Sequence, residues 1–460
     1  MNVIVLQNDS LRWDHMGFNG NSWIKTPNLD AFSKECAIFD NCYTDNLPTL
    51  PQRTSAFTGT LSFTSRTWES MRDKDERLSM ILFDAGVHPA LIFDSHPFFN
   101  MATGYLDGFM SVEFIRGYGV KAFTEEQRQA TYDESLYYPE GREWNEEQQR
   151  DMYFRIMQTY KTEADTTLGQ VITKTTKWLD DYDKNEPFML WVDMFDPHEP
   201  WTPAEEYWRQ YCPDYEGPLP VAPWPRFENF HMTPEEGECC RALYAGNVTF
   251  MDKWIGKLLD YLREKGIMDD TMIIYSSDHG EPLGEGPYGH GLFRKFRPWP
   301  YEELAHVPLL VRHPDGAGRD RRFDTFVQTC DLTATILDSF DLEPTEKMHG
   351  TSLCSVMKGE QEGARDFAVA CHNLWGNSRS IRTKEWTYIF WPRETANLQG
   401  QRIEVRDPEL YRRDEDLTEQ NNVIAEYPEV ARAMEVKLRQ FEEQLLHGEK
   451  SDAHWPDRPK

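Results

Sequence analysis

The chain has 460 residues, with 49 basic and 78 acidic side chains and a formal net charge of −29. Hydrophobic residues make up 39% and aromatics 13%, enough for a sizeable core, which excludes a globally disordered chain and suits about two domains or one large domain with an appendage. The negative balance excludes a broad nucleic-acid or anionic-membrane surface, so an anionic substrate needs a local positive site, such as a metal ion or a few buried Arg and Lys.

Met1 is followed at once by Asn-Val-Ile-Val-Leu-Gln, with no basic leader, and no run of about 18 apolar residues occurs anywhere. The eight cysteines are scattered without a CxxC pair, which reads as reduced thiols and a cytoplasmic protein. Residues 3–6 form a short apolar burst that runs into Asn8-Asp9-Ser10. Residues 89–93 (Pro-Ala-Leu-Ile-Phe) run into Asp94-Ser95-His96. Residues 101–160, rich in Glu, Gln, Tyr and Phe, read as a helical insertion over one edge. A helix is expected over 167–183, then a strand over 188–192 that reaches Asp193, Asp196 and His198. A second helix over 242–265 precedes an apolar run at 272–275 that reaches Asp278-His279-Gly280, and another run follows at 308–311. Continuous apolar runs alternating with helices predict an α/β fold with a large, mostly parallel sheet flanked by helices, whose ligands bind at the carboxyl ends of the strands. Runs at 367–371 and 386–391, then an amphipathic helix from Pro428 to about Leu446, predict a small antiparallel sheet with one helix. Residues 1–360 are therefore expected to form a catalytic domain and 361–460 a C-terminal α+β subdomain.

The densest local signal is Pro48-Thr49-Leu50-Pro51-Gln52-Arg53 and the residues after it. If a helix starts here, its N–H groups favour a bound anion beside Thr49, and Arg53 adds positive charge. A hydroxyl, an anion-binding end and a guanidinium within five positions suit attack on tetrahedral phosphorus or sulfur. The ordinary alternative is an N-cap threonine. A threonine hydroxyl needs a base or metal to act at neutral pH, and Asp9 with Asp278-His279 offers two carboxylates and an imidazole for a divalent cation. The imidazole favours manganese, zinc or iron, with calcium possible. His198, within Asp196-Pro197-His198-Glu199-Pro200, is a candidate for protonating a leaving group or binding an anionic oxygen, and Lys295 for neutralising the transferred group. His96 and His290 are candidate substrate contacts; the ordinary alternative for each is a solvated loop residue.

In this order the motifs resemble the sulfatase family of the alkaline phosphatase superfamily, across nearly the whole chain. The run from Asn2 to Asp9 looks like the family's first strand and metal aspartate, and Pro48 to Gly59 sits where the family has Cys/Ser-x-Pro-x-Arg. Asp193 to Trp201, Ser277-Asp278-His279-Gly280-Glu281, Lys295, Asp331-Leu332 and His349-Gly350-Thr351 follow in family order. The resemblance implies an alkaline phosphatase-like fold, with Asp9, Asp278, His279 and the Thr49 oxygen on one main metal. Three departures stand out. Thr49 occupies the position that sulfatases convert to formylglycine, Ser10 replaces the second of two opening aspartates, and Asp94 stands where a lysine contacts sulfate. Cytoplasmic phosphonate monoester hydrolases also lack that second aspartate, and threonine nucleophiles occur elsewhere in the superfamily, in nucleotide pyrophosphatases. The expectation is a metal-dependent hydrolase of phosphoric or phosphonic esters, a small anionic substrate, and no nucleic-acid or membrane partner; a homo-oligomer is possible. A sulfuric ester hydrolase using unmodified threonine and a non-catalytic oxyanion-binding protein are the alternatives. Specificity is expected to lie in residues 101–160 and in the loops around Trp201 to Trp224, where Trp201, Tyr207, Trp208 and Trp224 are candidates for an apolar pocket; ordinary packing is the alternative for each.

Overall fold

The opening apolar run becomes the strand Asn2–Asn8 at the heart of an eight-stranded sheet. The computed structural model describes every residue except 64, 101–103, 118–122, 138–146, 183–185, 223–231, 285, 296–298, 374–377, 392–405, 449–454, 456–458 and 460, with backbone only at 99, 100 and 147–149. The spatial order of strands is Arg321–Gln328, Ala37–Tyr43, Leu309–Arg312, Thr271–Ser277, Asn2–Asn8, Phe188–Met194, His88–Phe93 and Ser111–Phe114. Only Leu309–Arg312 runs antiparallel to its neighbours, so the sheet is mixed and mostly parallel, as expected.

Register determines where the chemistry falls. Asn8 lies opposite both Met194 and Ser277, so the three central strands end level and deliver Asp9, Phe195 and Asp278 side by side. Side chains alternate across the sheet. Ile4, Leu6, Leu190, Val192 and Ile273 face the helices Thr167–Asp181 and Pro234–Glu264, while Val3, Val5, Trp191 and Ile274 face the helices Thr49–Thr58 and Thr329–Asp338. Both faces are buried, which explains why these strands read as unbroken apolar runs. The long helix Pro234–Glu264 starts cleanly because Thr233 and Glu236 form a reciprocal capping box with Pro234 at the first position.

A second sheet carries Glu409–Arg412, Trp386–Phe390, Ser378–Arg382 and Ala368–His372 in antiparallel order. Its fifth strand, Asn46–Leu47, joins in parallel from the segment just before Thr49. The helix Pro428–Leu446 covers this sheet with Ala431, Met434, Leu438 and Phe441, as its spacing predicts. Residues 101–160, expected as a helical insertion over one edge, also contribute a strand. Their described part contains Ser111–Phe114, which hydrogen-bonds to His88–Phe93 as the edge strand of the main sheet, beside the helices Glu125–Gln129 and Glu147–Met157. All eight cysteines are free, and among the described residues no helix is long and apolar enough to cross a membrane.

Candidate active site

Asp9, Asp278 and His279 converge at the carboxyl ends of the two innermost strands, where one ligand atom from each lies within 4.8 Å of the others. Backbone bonds carry the ladder into the site: Asp9 N–H donates to Met194 O at 2.9 Å, and Asp278 N–H to Asn8 O at 3.0 Å. His279 Nδ1 donates to Gly280 O at 2.7 Å, which leaves Nε2 as the free lone pair. Burial, reinforced by the charge of Lys295, pushes His279 down to about 3, so the ring is a neutral ligand at physiological pH. His279 Nε2 and Asp9 Oδ2 are both buried without a hydrogen-bond partner. Buried polar atoms are rarely left so, and this donor set fits a divalent cation. Among the described residues no second such cluster occurs.

Arg53 is fully buried one helical turn beyond Thr49. Its Nε and Nη2 grip the two oxygens of Asp193 at 2.9 Å each, Nη1 donates to Asp278, and Nη2 lies 3.5 Å from Asp9 Oδ2. One guanidinium therefore spans three strand-end carboxylates, a fork geometry that lysine could not reproduce. Burial lifts Asp193 to about 6 even against the charge of Arg53. Thr49 is the first residue of the helix Thr49–Thr58, 2% exposed, and its hydroxyl has no hydrogen-bond partner among the described residues. Arg53 Nη1 also approaches Thr49 O at 3.4 Å. Helix and first strand are tied by Gln7, whose amide donates to Gln52 Oε1 at 2.9 Å.

Lys295 closes the opposite side. Its Nζ donates to Ser10 Oγ at 2.7 Å and lies 3.2 Å from Glu281 and 3.5 Å from Glu199. Ser10, held at φ 65°, passes the contact on: its Oγ donates to Asp9 Oδ1 at 2.8 Å and its N–H to Asp278 Oδ1 at 2.9 Å. Ser10 thus becomes a link between the lysine and the carboxylates. Burial would raise Glu199, but Arg294, His198 and Lys295 hold it below the ordinary carboxylate range. Burial pushes Glu281 up to about 8 despite Lys295.

His198 donates from Nδ1 to Glu199 O at 2.5 Å and stacks on Phe195 at 4.0 Å; burial lowers it to about 3, with Lys295 adding to the effect. His96 meets the same Phe195 edge-on at 5.3 Å, and burial lowers it to about 4. His290 stands apart from its expected role. Its ring nitrogens are engaged by Glu303 Oε1 at 2.8 Å and Glu419 O at 2.7 Å, and it stacks on Tyr301 at 3.7 Å, so it joins the chain to the C-terminal segment and has no nitrogen left for a substrate. Trp201, Tyr207 and Trp208 are likewise packing residues: Trp201 is fully buried against Tyr244 with its N–H on Pro197 O, Tyr207 packs on Phe250, and Trp208 is buried. Trp224 lies outside the described residues. Asp193, Glu199, Glu281, Arg294 and Ser10 belong to the site without having been assigned a role in it. Asp193, Glu199 and Glu281 each sit in a motif already flagged for a neighbouring residue, and that adjacency is the signal that could have found them.

The Sulfatase family model matches residues 1–342, and the model for the N-sulphoglucosamine sulphohydrolase C-terminal region matches residues 288–444. The chain is 25% identical to an arylsulfatase of Clostridium perfringens (strain 13 / Type A), covering 93% of this chain and 98% of that protein. It is 28% identical to the multifunctional alkaline phosphatase superfamily protein PehA of Trinickia caryophylli, over 72% of this chain and 71% of that one. Among solved structures, the phosphonate monoester hydrolase of Agrobacterium radiobacter superposes with a TM-score of 0.75 at 22% identity, covering 96% of both chains.

Proposed function

The chain belongs to the sulfatase family of ester hydrolases, and from that premise we propose that it cleaves a phosphoric or phosphonic ester with Thr49 as nucleophile. The observation that carries this reading is the buried, unpartnered Thr49 hydroxyl one turn from Arg53, whose guanidinium binds the strand-end carboxylates. Threonine cannot yield the formylglycine aldehyde on which sulfatases rely, whereas an alkoxide suffices for attack on phosphorus.

In this mechanism Arg53 and Lys295 orient the ester's anionic oxygens, and His96 borders them. Thr49 Oγ loses its proton to solvent and forms a bond to phosphorus, the ester oxygen departs with a proton delivered through His198 or Lys295, and water then cleaves the Thr49 ester, its hydroxyl passing to phosphorus and a proton to the Thr49 oxygen. Burial holds His198 neutral in the free site; the negative charge of a bound ester raises it toward the protonated form. A divalent ion held by Asp9, Asp278, His279 and the Thr49 oxygen would lower the hydroxyl's pKa and offset charge on the transferred group. The imidazole ligand favours manganese, zinc or iron over magnesium. Eight unpaired thiols, seven of them buried, support placement in a reducing compartment.

A sulfuric ester hydrolase working through unmodified Thr49 is the second reading, favoured by the near full-length match to an arylsulfatase. Hydrolysis of four p-nitrophenyl substrates (phosphate monoester, phosphodiester, phenylphosphonate monoester and sulfate) by manganese-loaded protein separates the two. A phosphorus ester should be preferred, and Thr49→Ala should lower its turnover by about a thousandfold or more. Preference for sulfate would replace the first reading with the second. Absence of Thr49-dependent turnover on all four would point to a non-catalytic oxyanion-binding protein.

A further inference from the structure

A cavity of about 370 Å³ opens beside the catalytic cluster, and His198 and Phe195 belong to both. Its wall is aromatic: Tyr153 and Tyr160 come from residues 101–160, Phe195 from the end of a central strand, and Phe250 from the long helix. Four aromatic rings line this one volume, a wall that suits an apolar or cationic guest.

The charged groups distinguish those guests. Three residues lining the cavity carry formal charge at neutral pH in their ordinary states. Lys161 is satisfied by Glu126 at 3.3 Å, and Glu163 by Lys253 Nζ at 2.8 Å and the Tyr207 hydroxyl. Asp196 has no side-chain hydrogen bond and no ion pair among the described residues. Asp94 lies near it, buried, with Oδ1 accepting from Phe195 N–H at 2.7 Å and no cation against it among the described residues. Burial, then the nearby Asp196, raises Asp94, and burial raises Asp196 to about 7. Asp94 is buried and Asp196 partly buried, both without a cation among the described residues, and a neutral guest does nothing to favour their ionised forms. A guest with a fixed positive charge does.

Building on the phosphoric or phosphonic ester reading, we propose that this cavity receives the leaving group and that the leaving group is an alcohol bearing an ammonium group. Asp196 is the counter-ion, drawn toward its ionised form by the guest's charge, Asp94 is a second carboxyl near it, and the rings of Tyr160 and Phe250 hold the ammonium by cation–π contact. His198, standing between the cavity and Lys295, marks the boundary at which the ester oxygen leaves.

Calorimetric titration of the metal-loaded, full-length protein with choline and with its neutral isostere 3,3-dimethyl-1-butanol tests the subsite without requiring turnover. Choline should bind about tenfold tighter or more, a difference expected from desolvated cation–π and ion-pair contacts together. Asp196→Asn should bring the two ligands to within about twofold, and Tyr160→Leu should reduce choline affinity while retaining some preference. Should Asp196→Asn fail to fold, Asp94→Asn and the wild-type comparison carry the test. Equal binding of the two ligands by wild type, or a choline preference that survives Asp196→Asn, would overturn the proposal. Choline preference in a protein inactive on all four p-nitrophenyl esters would uphold the subsite while removing the hydrolase reading.

Discussion

Arg53 is surrounded by Asp9, Asp193 and Asp278, so one fixed positive charge faces three carboxylates in a fully buried space. That imbalance, with His279 Nε2 and Asp9 Oδ2 buried and lacking a hydrogen bond, is the physical case for a metal at this position. A ligand that binds only the folded state stabilises it by about 2.7 kcal/mol at a hundredfold excess over its Kd. Chelation should therefore lower the thermal midpoint of metal-loaded wild type. His279→Ala should lower metal stoichiometry by elemental analysis and remove most of the chelator's effect on the midpoint. A chelator effect of equal size in both proteins would mean that His279 is not a ligand. Asp9, Arg53, Asp278 and His279 were legible in the sequence because each follows an apolar run or a proline-bounded turn. The part played by Ser10 was not legible, since it depends on a left-handed backbone and on Lys295 arriving from far along the chain.

The helix Thr49–Thr58 is the element on which the proposed nucleophile rests, and Asp45 anchors it. Asp45 Oδ2 accepts from Ser55 Oγ at 2.9 Å and from Ser62 N–H at 2.8 Å, while Oδ1 is buried without a partner. Burial raises Asp45 to about 7. Because its folded pKa lies above the unfolded value of about 3.9, the folded state holds more protons between about pH 4 and 7, and stability is lost as pH rises through that window. The thermal midpoint of wild type should fall more steeply from pH 5 to pH 8 than that of Asp45→Asn, which keeps an acceptor for Ser55 and Ser62 and cannot ionise. Parallel curves would show that Asp45 titrates normally. At this scale the sequence was uneven. Asn2–Asn8, Phe188–Met194 and Thr271–Ser277 read clearly as strands because both their faces are buried. Ala37–Tyr43 and Arg321–Gln328 did not, because Asp40 and Asn41 in one and Arg321, Arg322 and Asp324 in the other interrupt the apolar pattern toward the sheet's edge. Asn46–Leu47 is two residues long and is a strand only because Cys371 and His372 pair with it.

Across the whole molecule, the C-terminal sheet supports the catalytic layer through several buried connections. Besides the Asn46–Leu47 pairing, Arg365 grips Asp331 at 2.8 and 2.6 Å, and Arg382 joins Glu302 to Glu419. His349 and Asp331, met in the sequence as family motifs, serve this structural join: His349 O accepts from Arg365, and Asp331 caps its own helix at Gln328 N–H. The net charge of −29 belongs to the chain as a whole, whereas Arg53, Arg294 and Lys295 are buried at the strand ends, so any attraction for an anionic ester is local to the site. The order of motifs along the chain made this architecture readable, whereas the aromatic cavity was not, because Tyr153, Tyr160, Phe195 and Phe250 come together only in three dimensions. The most direct test of the account is acid quenching of manganese-loaded protein during turnover of its best p-nitrophenyl phosphorus ester, followed by peptide mass spectrometry. The account predicts a phosphoryl or phosphonyl adduct on Thr49 that disappears as substrate is consumed; full turnover with Thr49 unmodified throughout, or with the adduct on another residue, would contradict it.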